Sequence, residues 1–188
     1  MPNGYVRVMI RLFAALSLPE DIGRALQTRQ TGVDGARWRP LESLHVTLRF
    51  FGDVRQDVAR DLDAELTRVS GQPFEIQLSG AGSFGEGDEV NAVWAGVADN
   101  PALTRLAEGC EAAARRAGLK PERRRFRPHV TLAYLRRADP AEAAAWIQAN
   151  NLLRSPPIPV DRFGLFSSHQ GREGSHYRLE AEYPLMRA

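Results

Sequence analysis

The tetrapeptide His-Val-Thr-Leu occurs twice in this chain, at residues 45–48 and again at residues 129–132. The chain has four histidines, and two of them open these identical stretches. Alternate residues of a β-strand share one face, so each copy directs its histidine and threonine to one side and its valine and leucine to the other. The pattern therefore predicts two equivalent strands, each presenting an imidazole and a hydroxyl on one surface and anchored by two core residues.

The sequence around the two copies repeats as well. Each copy follows an apolar run and a helix start, and each precedes a second helical stretch and a further apolar run. Pro73 follows His45 by 28 residues, and Pro157 follows His129 by the same distance. The repeat indicates that each half of the chain forms a strand, a helix, the motif strand, a second helix and a last strand.

These repeats define the expected domain organisation. We expect one domain over residues 1–188, made of halves at about 6–85 and 89–170, with a final strand at about 175–185. The glycine-rich stretch at residues 79–89 is expected to connect the halves, because it lacks the lysine of a phosphate loop. Packing of the halves about a pseudo-twofold axis would bring the two motif strands face to face.

Two histidines and two threonines in one cleft suit in-line substitution at a phosphodiester. A neutral imidazole takes the proton from the attacking oxygen, and a protonated imidazole gives a proton to the leaving oxygen. The ordinary pKa of histidine, near 6.5, allows both forms near neutral pH. The hydroxyls of Thr47 and Thr131 would donate to the non-bridging phosphate oxygens, where charge builds up. The residues alone do not decide which of His45 and His129 is the acid.

A zinc site is a competing interpretation of the two histidines. It needs a third ligand, and neither copy is accompanied by a His-Glu-x-x-His motif, a cysteine pair or an acidic cluster. We therefore expect no metal and no other cofactor. A non-catalytic RNA-binding module is a further alternative, although binding alone requires no acid–base pair.

Positive charge is concentrated around the second copy of the motif. Residues 115–137 contain nine basic residues and one acid, so this segment carries +8 and the rest of the chain carries −6. The cluster indicates either a phosphate-bearing partner or a solvated arginine-rich face. No apolar stretch is long enough for a membrane span, so we expect no membrane contact. The single cysteine, Cys110, cannot form an internal disulfide, which predicts a cytoplasmic location.

The paired motifs in a duplicated chain of 188 residues resemble those of the 2H phosphoesterases. Within that superfamily the chain is similar to the RNA 2′,3′-cyclic phosphodiesterases, which are also described as 2′-5′ RNA ligases. The similar stretches run nearly end to end: RLFAALSLPEDI, RWRPLESLHVTLRFFGDV, AVWAGV, RRFRPHVTLA and SSHQGREGSHYRLEAEYPL. The resemblance implies a bilobal α+β fold in which two antiparallel sheets with flanking helices surround a central cleft.

The resemblance also implies an activity. It implies hydrolysis of a terminal 2′,3′-cyclic phosphate of RNA to a 2′-phosphate, without a metal or nucleotide cofactor. In that scheme His45 is the proton donor to the leaving oxygen, and His129 is the proton acceptor that activates water. The same acid and base serve the reverse direction, ligation of a cyclic end to a 5′-hydroxyl, so the sequence leaves the direction open. Because one chain supplies both histidines, we expect a monomer.

One position departs from the family pattern. Many members carry an arginine shortly after the second motif, where this chain has Tyr134. Arginines at 136–137 follow closely, and Arg127 precedes the motif. Arg127 shares strand parity with His129 if the strand runs through Pro128, so we favour Arg127 as a phosphate-binding residue.

Aromatic residues precede both copies of the motif. Phe13 and Trp94 lie 32 and 35 residues before the respective histidines, at positions that we expect to be equivalent. Each could stack on a nucleobase, but an aromatic side chain on a first strand more commonly belongs to the core, which is what we expect.

Overall fold

The computed structural model describes residues 9–85, 89–171 and 174–186 of the chain. The expected start of the first half, at residues 6–8, lies outside this range. In the described ranges the helices are α1 (Glu20–Gln27), α2 (Gln56–Leu66), α3 (Pro101–Arg116) and α4 (Pro140–Asn150). The strands are β1 (Met9–Ser17), β2 (Arg37–Trp38), β3 (His45–Arg55), β4 (Phe74–Ile76), β5 (Leu78–Phe84), β6 (Ala92–Val97), β7 (His129–Tyr134), β8 (Ile158–Val160), β9 (Arg162–Gly171) and β10 (Gly174–Pro184).

The strands of the described ranges form two four-stranded sheets and one two-stranded pair. The first sheet has the order β10-β9-β1-β3, the second has the order β2-β7-β6-β5, and β4 pairs with β8. Neighbouring strands are antiparallel throughout. The two copies of the motif open β3 and β7, one in each sheet. The expected α+β fold with two antiparallel sheets is confirmed.

The last long strand of each half belongs to the sheet that the other half begins. β9 pairs with β1, and β5 pairs with β6. The strands β9-β1-β3 of the first sheet therefore correspond to β5-β6-β7 of the second sheet, while β10 and β2 are additions at different edges. Each motif strand thus lies in a sheet to which both halves contribute.

The short pair of β4 and β8 lies on the pseudo-twofold axis. The offset of 84 residues that separates the two motif copies also relates β4 to β8. Phe74 lies opposite Val160, and Ile76 lies opposite Ile158. With this offset Phe74 is equivalent to Ile158, and Ile76 is equivalent to Val160, so the symmetry maps one pair onto the other. The axis therefore passes through the middle of this pair of strands.

The apolar residues of both motif copies face the core, as strand alternation predicts. Val46, Val130 and Leu132 are fully buried, and Leu48 is 4% exposed. Cys110 is also buried, on the inner face of α3. In the described part of the chain, no helix has the length and apolar character needed to cross a membrane.

The first part of the glycine-rich stretch that was expected to connect the halves is a strand. Residues 79–84 belong to β5, and the chain turns at Gly85, whose φ of 82° is in the left-handed region that favours glycine. A Cβ atom at Gly82 would collide with the ring of Trp94 on the neighbouring strand. Gly82 therefore leaves room for the indole ring of Trp94. Residues 86–88 lie outside the described ranges.

Candidate active site

The residues predicted from the sequence line one cleft. The cleft has a volume of about 930 Å³, and its walls come from β3, β7, α3 and the loop before β7. The predicted residues that line it are His45, Thr47, Arg127, His129 and Thr131. Within the described ranges, no three His, Cys, Asp or Glu side chains come together as a possible metal-binding group.

Each histidine is held by a backbone carbonyl two residues before it. Nδ1 of His45 lies 2.8 Å from the carbonyl oxygen of Ser43, and Nδ1 of His129 lies 2.7 Å from that of Arg127. A carbonyl oxygen only accepts hydrogen bonds, so Nδ1 carries a proton and donates it in both rings. Proton exchange with a ligand is therefore left to Nε2 of each ring.

Burial keeps both imidazoles neutral near pH 7. Desolvation is the main reason that the pKa of His45 falls from 6.5 to about 4, and the charges of Arg39 and His129 lower it further. The hydrogen bond to Ser43 acts in the opposite direction. Burial also lowers the pKa of His129, against the hydrogen bond to the Arg127 carbonyl. In the free protein both Nε2 atoms are thus proton acceptors.

Aromatic rings produce this burial. The ring of His45 lies 5.0 Å from that of Phe13, and the ring of Tyr177 meets it edge-on at 5.2 Å, between centroids. The ring of His129 meets that of Phe84 edge-on at 4.7 Å. These contacts fix the position of both imidazoles and keep water from one side of each ring.

Phe13 and Trp94 are not equivalent, which corrects the expectation from the sequence. Trp94 lies opposite Thr131, and the equivalent position opposite Thr47 is occupied by Ala15, two residues after Phe13. Phe13 is 1% exposed and belongs to the core, as expected. Trp94 is only partly buried and lies beside His129, with 6.0 Å between the ring centroids.

A β-bulge lies at the last residue of each copy of the motif. The ladder between β1 and β3 skips Leu48, and the ladder between β6 and β7 skips Leu132. An extra residue in one strand reverses the alternation of the side chains beyond it. Phe50 and Tyr134 therefore return to the face of the motif histidines, and both line the cleft. Strict alternation along each strand, as used in the sequence analysis, does not predict these two aromatic walls.

Arg127 reaches the cleft by a different route from the one predicted. Strand β7 begins at His129, so Arg127 lies before the strand and the parity reasoning for it was wrong. It is exposed at the mouth of the cleft, and its carbonyl oxygen orients His129.

Arg39 is a cleft residue that the sequence analysis missed. It follows β2, lines the cleft, and contributes the positive charge that lowers the pKa of His45. In the sequence it is one of three arginines at positions 37, 39 and 49 that flank the first motif, and nothing in the local pattern distinguishes it.

A network of ion pairs closes the cleft on the side of α3. Nε of Arg49 donates to the Glu111 carboxylate at 2.5 Å, and Nη2 donates to the Lys120 carbonyl at 2.8 Å. The Glu122 carboxylate lies 3.8 Å from Arg49 and bonds to Arg124 at 2.9 Å. The hydrogen bond from Arg124 lowers the pKa of Glu122 to about 2. The network ties β3 to α3 and to the loop before β7.

The chain is similar to known proteins in sequence and in structure. The family model of the 2′-5′ RNA ligase superfamily matches residues 18–172. The RNA 2′,3′-cyclic phosphodiesterase of Thermus thermophilus is 33% identical, over 94% of this chain and 90% of the relative. That of Archaeoglobus fulgidus is 30% identical, over 71% of this chain and 77% of the relative.

Solved structures share the fold. TT0787 of Thermus thermophilus matches with a TM-score of 0.77 and 28% identity, over 93% of this chain and 97% of the other. E. coli LigT in complex with 3′-AMP matches with a TM-score of 0.76 and 26% identity, over 96% and 100% of the two chains. The bilobal arrangement of two antiparallel sheets is therefore common to all three proteins.

Proposed function

Because this chain belongs to the 2′-5′ RNA ligase superfamily, we propose that it is an RNA 2′,3′-cyclic phosphodiesterase. The reaction hydrolyses the cyclic phosphate at an RNA end and leaves a 2′-phosphate and a 3′-hydroxyl. The observation that carries the proposal is the pair of imidazoles in one cleft, each with its Nδ1 bonded to a backbone carbonyl. Both Nε2 atoms are then available for the two proton transfers that the reaction needs.

The proposed mechanism uses His129 as the base and His45 as the acid, in the order that the resemblance implies. Nε2 of His129 takes a proton from water as the water oxygen attacks phosphorus. The bond between phosphorus and the 3′-oxygen breaks, and Nε2 of His45 gives its proton to that oxygen. One proton is taken up and one is released, so the pair returns to its starting state once His129 passes its proton to solvent and His45 regains one.

Negative charge on the phosphorane oxygens is the second requirement. Thr47 and Thr131 share strand faces with the two histidines and line the same cleft, so their hydroxyls are proposed to donate to the non-bridging oxygens. Arg127 at the cleft mouth is proposed as an outer contact for the phosphate. Such donors stabilise the transition state most where water is excluded.

Because the pKa of each histidine is lowered, His45 has to gain a proton before it can act as the acid. His45 is the more deeply buried of the two, so in the empty cleft it is the harder to protonate. A phosphodiester anion beside it favours the imidazolium form, since an opposite charge within about 4–6 Å raises the pKa of a histidine. Substrate binding is therefore proposed to raise the pKa of His45 so that it takes up a proton.

The rate should depend on pH for the same reason. Above pH 7, kcat/KM is expected to fall by up to about tenfold per pH unit, because the protonated fraction of His45 decreases.

Hydrolysis of an oligoribonucleotide with a 2′,3′-cyclic end tests the proposal. His45→Asn and His129→Asn are each expected to lower kcat by about 10²–10⁴, the usual contribution of one acid or base. His176→Asn is the matched control, because His176 is exposed on β10 and does not line the cleft. Excess chelator is expected to leave the rate unchanged, because we propose that the reaction needs no metal. Full activity in His129→Asn, or a 3′-phosphate product, would contradict the proposed mechanism.

Ligation is the second candidate, favoured by the description of the family. A 5′-hydroxyl in place of water would give a 2′-5′ linkage with the same acid and base. Incubation of matched RNA halves separates the two activities: a predominance of joined product over hydrolysed ends favours ligation. Binding of RNA without either product would instead favour a non-catalytic binding module.

We further propose that the enzyme works as a monomer in the cytoplasm. One chain supplies both histidines of the cleft, and its one cysteine is buried and unpaired. A molecular mass of about one chain in light scattering at the assay concentration supports the monomer, and activity that rises more than linearly with protein concentration contradicts it.

A further inference from the structure

Arg39 is fixed at the side of the cleft through its backbone. Its N–H donates to the carbonyl oxygen of Leu132 at 2.8 Å, which continues the pairing of β2 with β7. Its own carbonyl oxygen accepts a hydrogen bond of 2.8 Å from Nε2 of Gln30. Both backbone groups are thus satisfied, and the side chain is the only part of Arg39 left to serve the cleft.

The guanidinium of Arg39 lies beside two tyrosine rings. Its Cζ is 5.5 Å from the ring centroid of Tyr134 and 5.4 Å from that of Tyr177. Tyr134 belongs to the second sheet and Tyr177 to the first, so the cation is held by both lobes. Cation–π contacts orient a guanidinium without using its hydrogen-bond donors. The rings therefore position the charge and leave the N–H groups available.

One of those donors has no acceptor. Nη2 of Arg39 is buried and forms no hydrogen bond with any described residue, and within those residues the side chain forms no ion pair. Buried donors of a charged group are rarely left unpaired, because the loss of hydration is not repaid. Among the described residues, the protein thus keeps an unpaired positive charge close enough to His45 to lower its pKa.

The other arginines of the cleft differ from Arg39 in this respect. Arg49 is neutralised by Glu111 and Glu122, and Arg124 is paired with Glu122. Arg125 and Arg127 also line the cleft, and both are exposed. Only Arg39, among the cleft arginines of the described chain, is both held in place by neighbouring rings and free of a carboxylate.

We propose that Arg39 binds the substrate phosphate and supplies the positive charge of this active site, an inference that rests on the proposed function. A phosphate oxygen in the cleft provides the acceptor that the guanidinium lacks, in a charge-assisted hydrogen bond. In the empty cleft the same charge adds to the effect of burial, which is the main reason that the pKa of His45 is low. A bound anion cancels the effect of that charge, so binding of the phosphate and protonation of His45 are coupled through Arg39.

The geometry also assigns a role to Tyr134. Its side chain lies on the cleft face because of the bulge at Leu132, and its ring lies beside the guanidinium of Arg39. An arginine at position 134 would extend from the same face toward the same place. A guanidinium could therefore reach this place either from strand β7 or from the residue after β2.

Three variants test the role of Arg39. We expect Arg39→Gln to lower kcat/KM about 100-fold, as for the loss of one transition-state donor, and Arg39→Lys to retain part of the activity, because it keeps the charge but loses the planar fork. Arg37→Gln, on the exposed face of β2 and outside the cleft, is the matched control and is expected to behave as wild type. Wild-type kcat/KM in Arg39→Gln would overturn the proposal.

A structural role for Arg39 is separated from a binding role by two further measurements. The double variant Arg39→Gln with Tyr134→Arg is expected to have a kcat/KM at least tenfold above that of Arg39→Gln. If Arg39 were needed only for folding, an arginine at position 134 would not raise kcat/KM. The affinity for inorganic phosphate, measured by NMR titration, is expected to fall at least tenfold in Arg39→Gln and to recover in the double variant. Unchanged phosphate affinity in Arg39→Gln would overturn the proposal. This titration does not depend on turnover, so it stands even if the wild-type protein hydrolyses no cyclic phosphate.

Discussion

Lowering the pH is expected to destabilise the folded protein through His45. The pKa of His45 is about 4 in the folded chain against 6.5 for an ordinary histidine, chiefly because the ring is buried. Between these values the unfolded chain binds a proton that the folded chain does not, so the free energy of unfolding falls as the pH falls. The contribution is fully present above pH 6.5 and is lost toward pH 4. Its full size is roughly 3.4 kcal/mol, at about 1.36 kcal/mol per pKa unit.

Urea denaturation of the wild type and of His45→Asn, between pH 7.5 and pH 4.5, isolates this contribution. The asparagine does not titrate, and its amide can donate to the Ser43 carbonyl as Nδ1 of His45 does. All carboxylates and His129 are present in both proteins, so their effects cancel in the difference. Over this range the wild type should lose roughly 2.5 kcal/mol more than the variant, because the protonation of His45 is not complete at pH 4.5.

Parallel curves for the two proteins would refute this reasoning, since they would mean that His45 titrates alike in the folded and unfolded chains. An NMR titration of the His45 Hε1 resonance checks the same point without denaturation. A midpoint near 4 agrees with burial by Phe13 and Tyr177, and a midpoint near 6.5 shows that water reaches the ring.

Burial raises the pKa of the Cys110 thiol to about 12, so Cys110 should react with Ellman's reagent only when the chain unfolds; rapid labelling of the native protein would contradict this. Glu111→Gln removes one of the two carboxylates near the buried side chain of Arg49, and urea titration should show a loss of about 1.5–3 kcal/mol, since Glu122 remains. Gly82→Ala places a methyl group against the indole of β6 and should cost about 1–3 kcal/mol in thermal unfolding. Gly71→Ala, where the new atom has only ordinary contacts, should be near neutral.

The central part of the site could be predicted because it depends on local pattern. Identical tetrapeptides with period-two alternation place Val46 and Val130 in the core, and they are buried. Their neighbours His45 and His129 then have to lie on the opposite face of each strand. The repeat around the motifs added the twofold relation that brings both faces to one cleft.

The cleft walls could not be predicted because they depend on pairing between strands. A bulge is decided by the register with the neighbouring strand, so the sequence of β3 or β7 alone does not show that Leu48 and Leu132 are skipped. The sequence also does not show that β5, from the first half, pairs with β6, and that β9, from the second half, pairs with β1. The residue pattern of a strand shows which of its faces is buried but does not show which of the two sheets it joins.

The arginines show the same limit. Parity assigned Arg127 to the strand, but β7 begins only after Pro128, since proline lacks the N–H that a ladder needs. Arg39 lies 90 residues before His129 in sequence, and the pairing of β2 with β7 places it beside the second motif strand. Charge clustering in sequence pointed instead to residues 115–137, where Arg124 is paired with Glu122.

Because β5 and β9 each pair with a strand of the other half, cleavage between the halves should not separate them into independent units. A fragment that ends at Gly85 would carry His45 and β5, but β5 pairs with β6 of the other fragment. The remaining fragment would carry His129 and β9, which pairs with β1 of the first. Each piece thus holds a strand that only the other can accommodate, so the two should reassemble as a complementing pair. In the same way, a half-length ancestral protein with these strand pairings would have formed a dimer in which the last strand of each copy joins the sheet of the other.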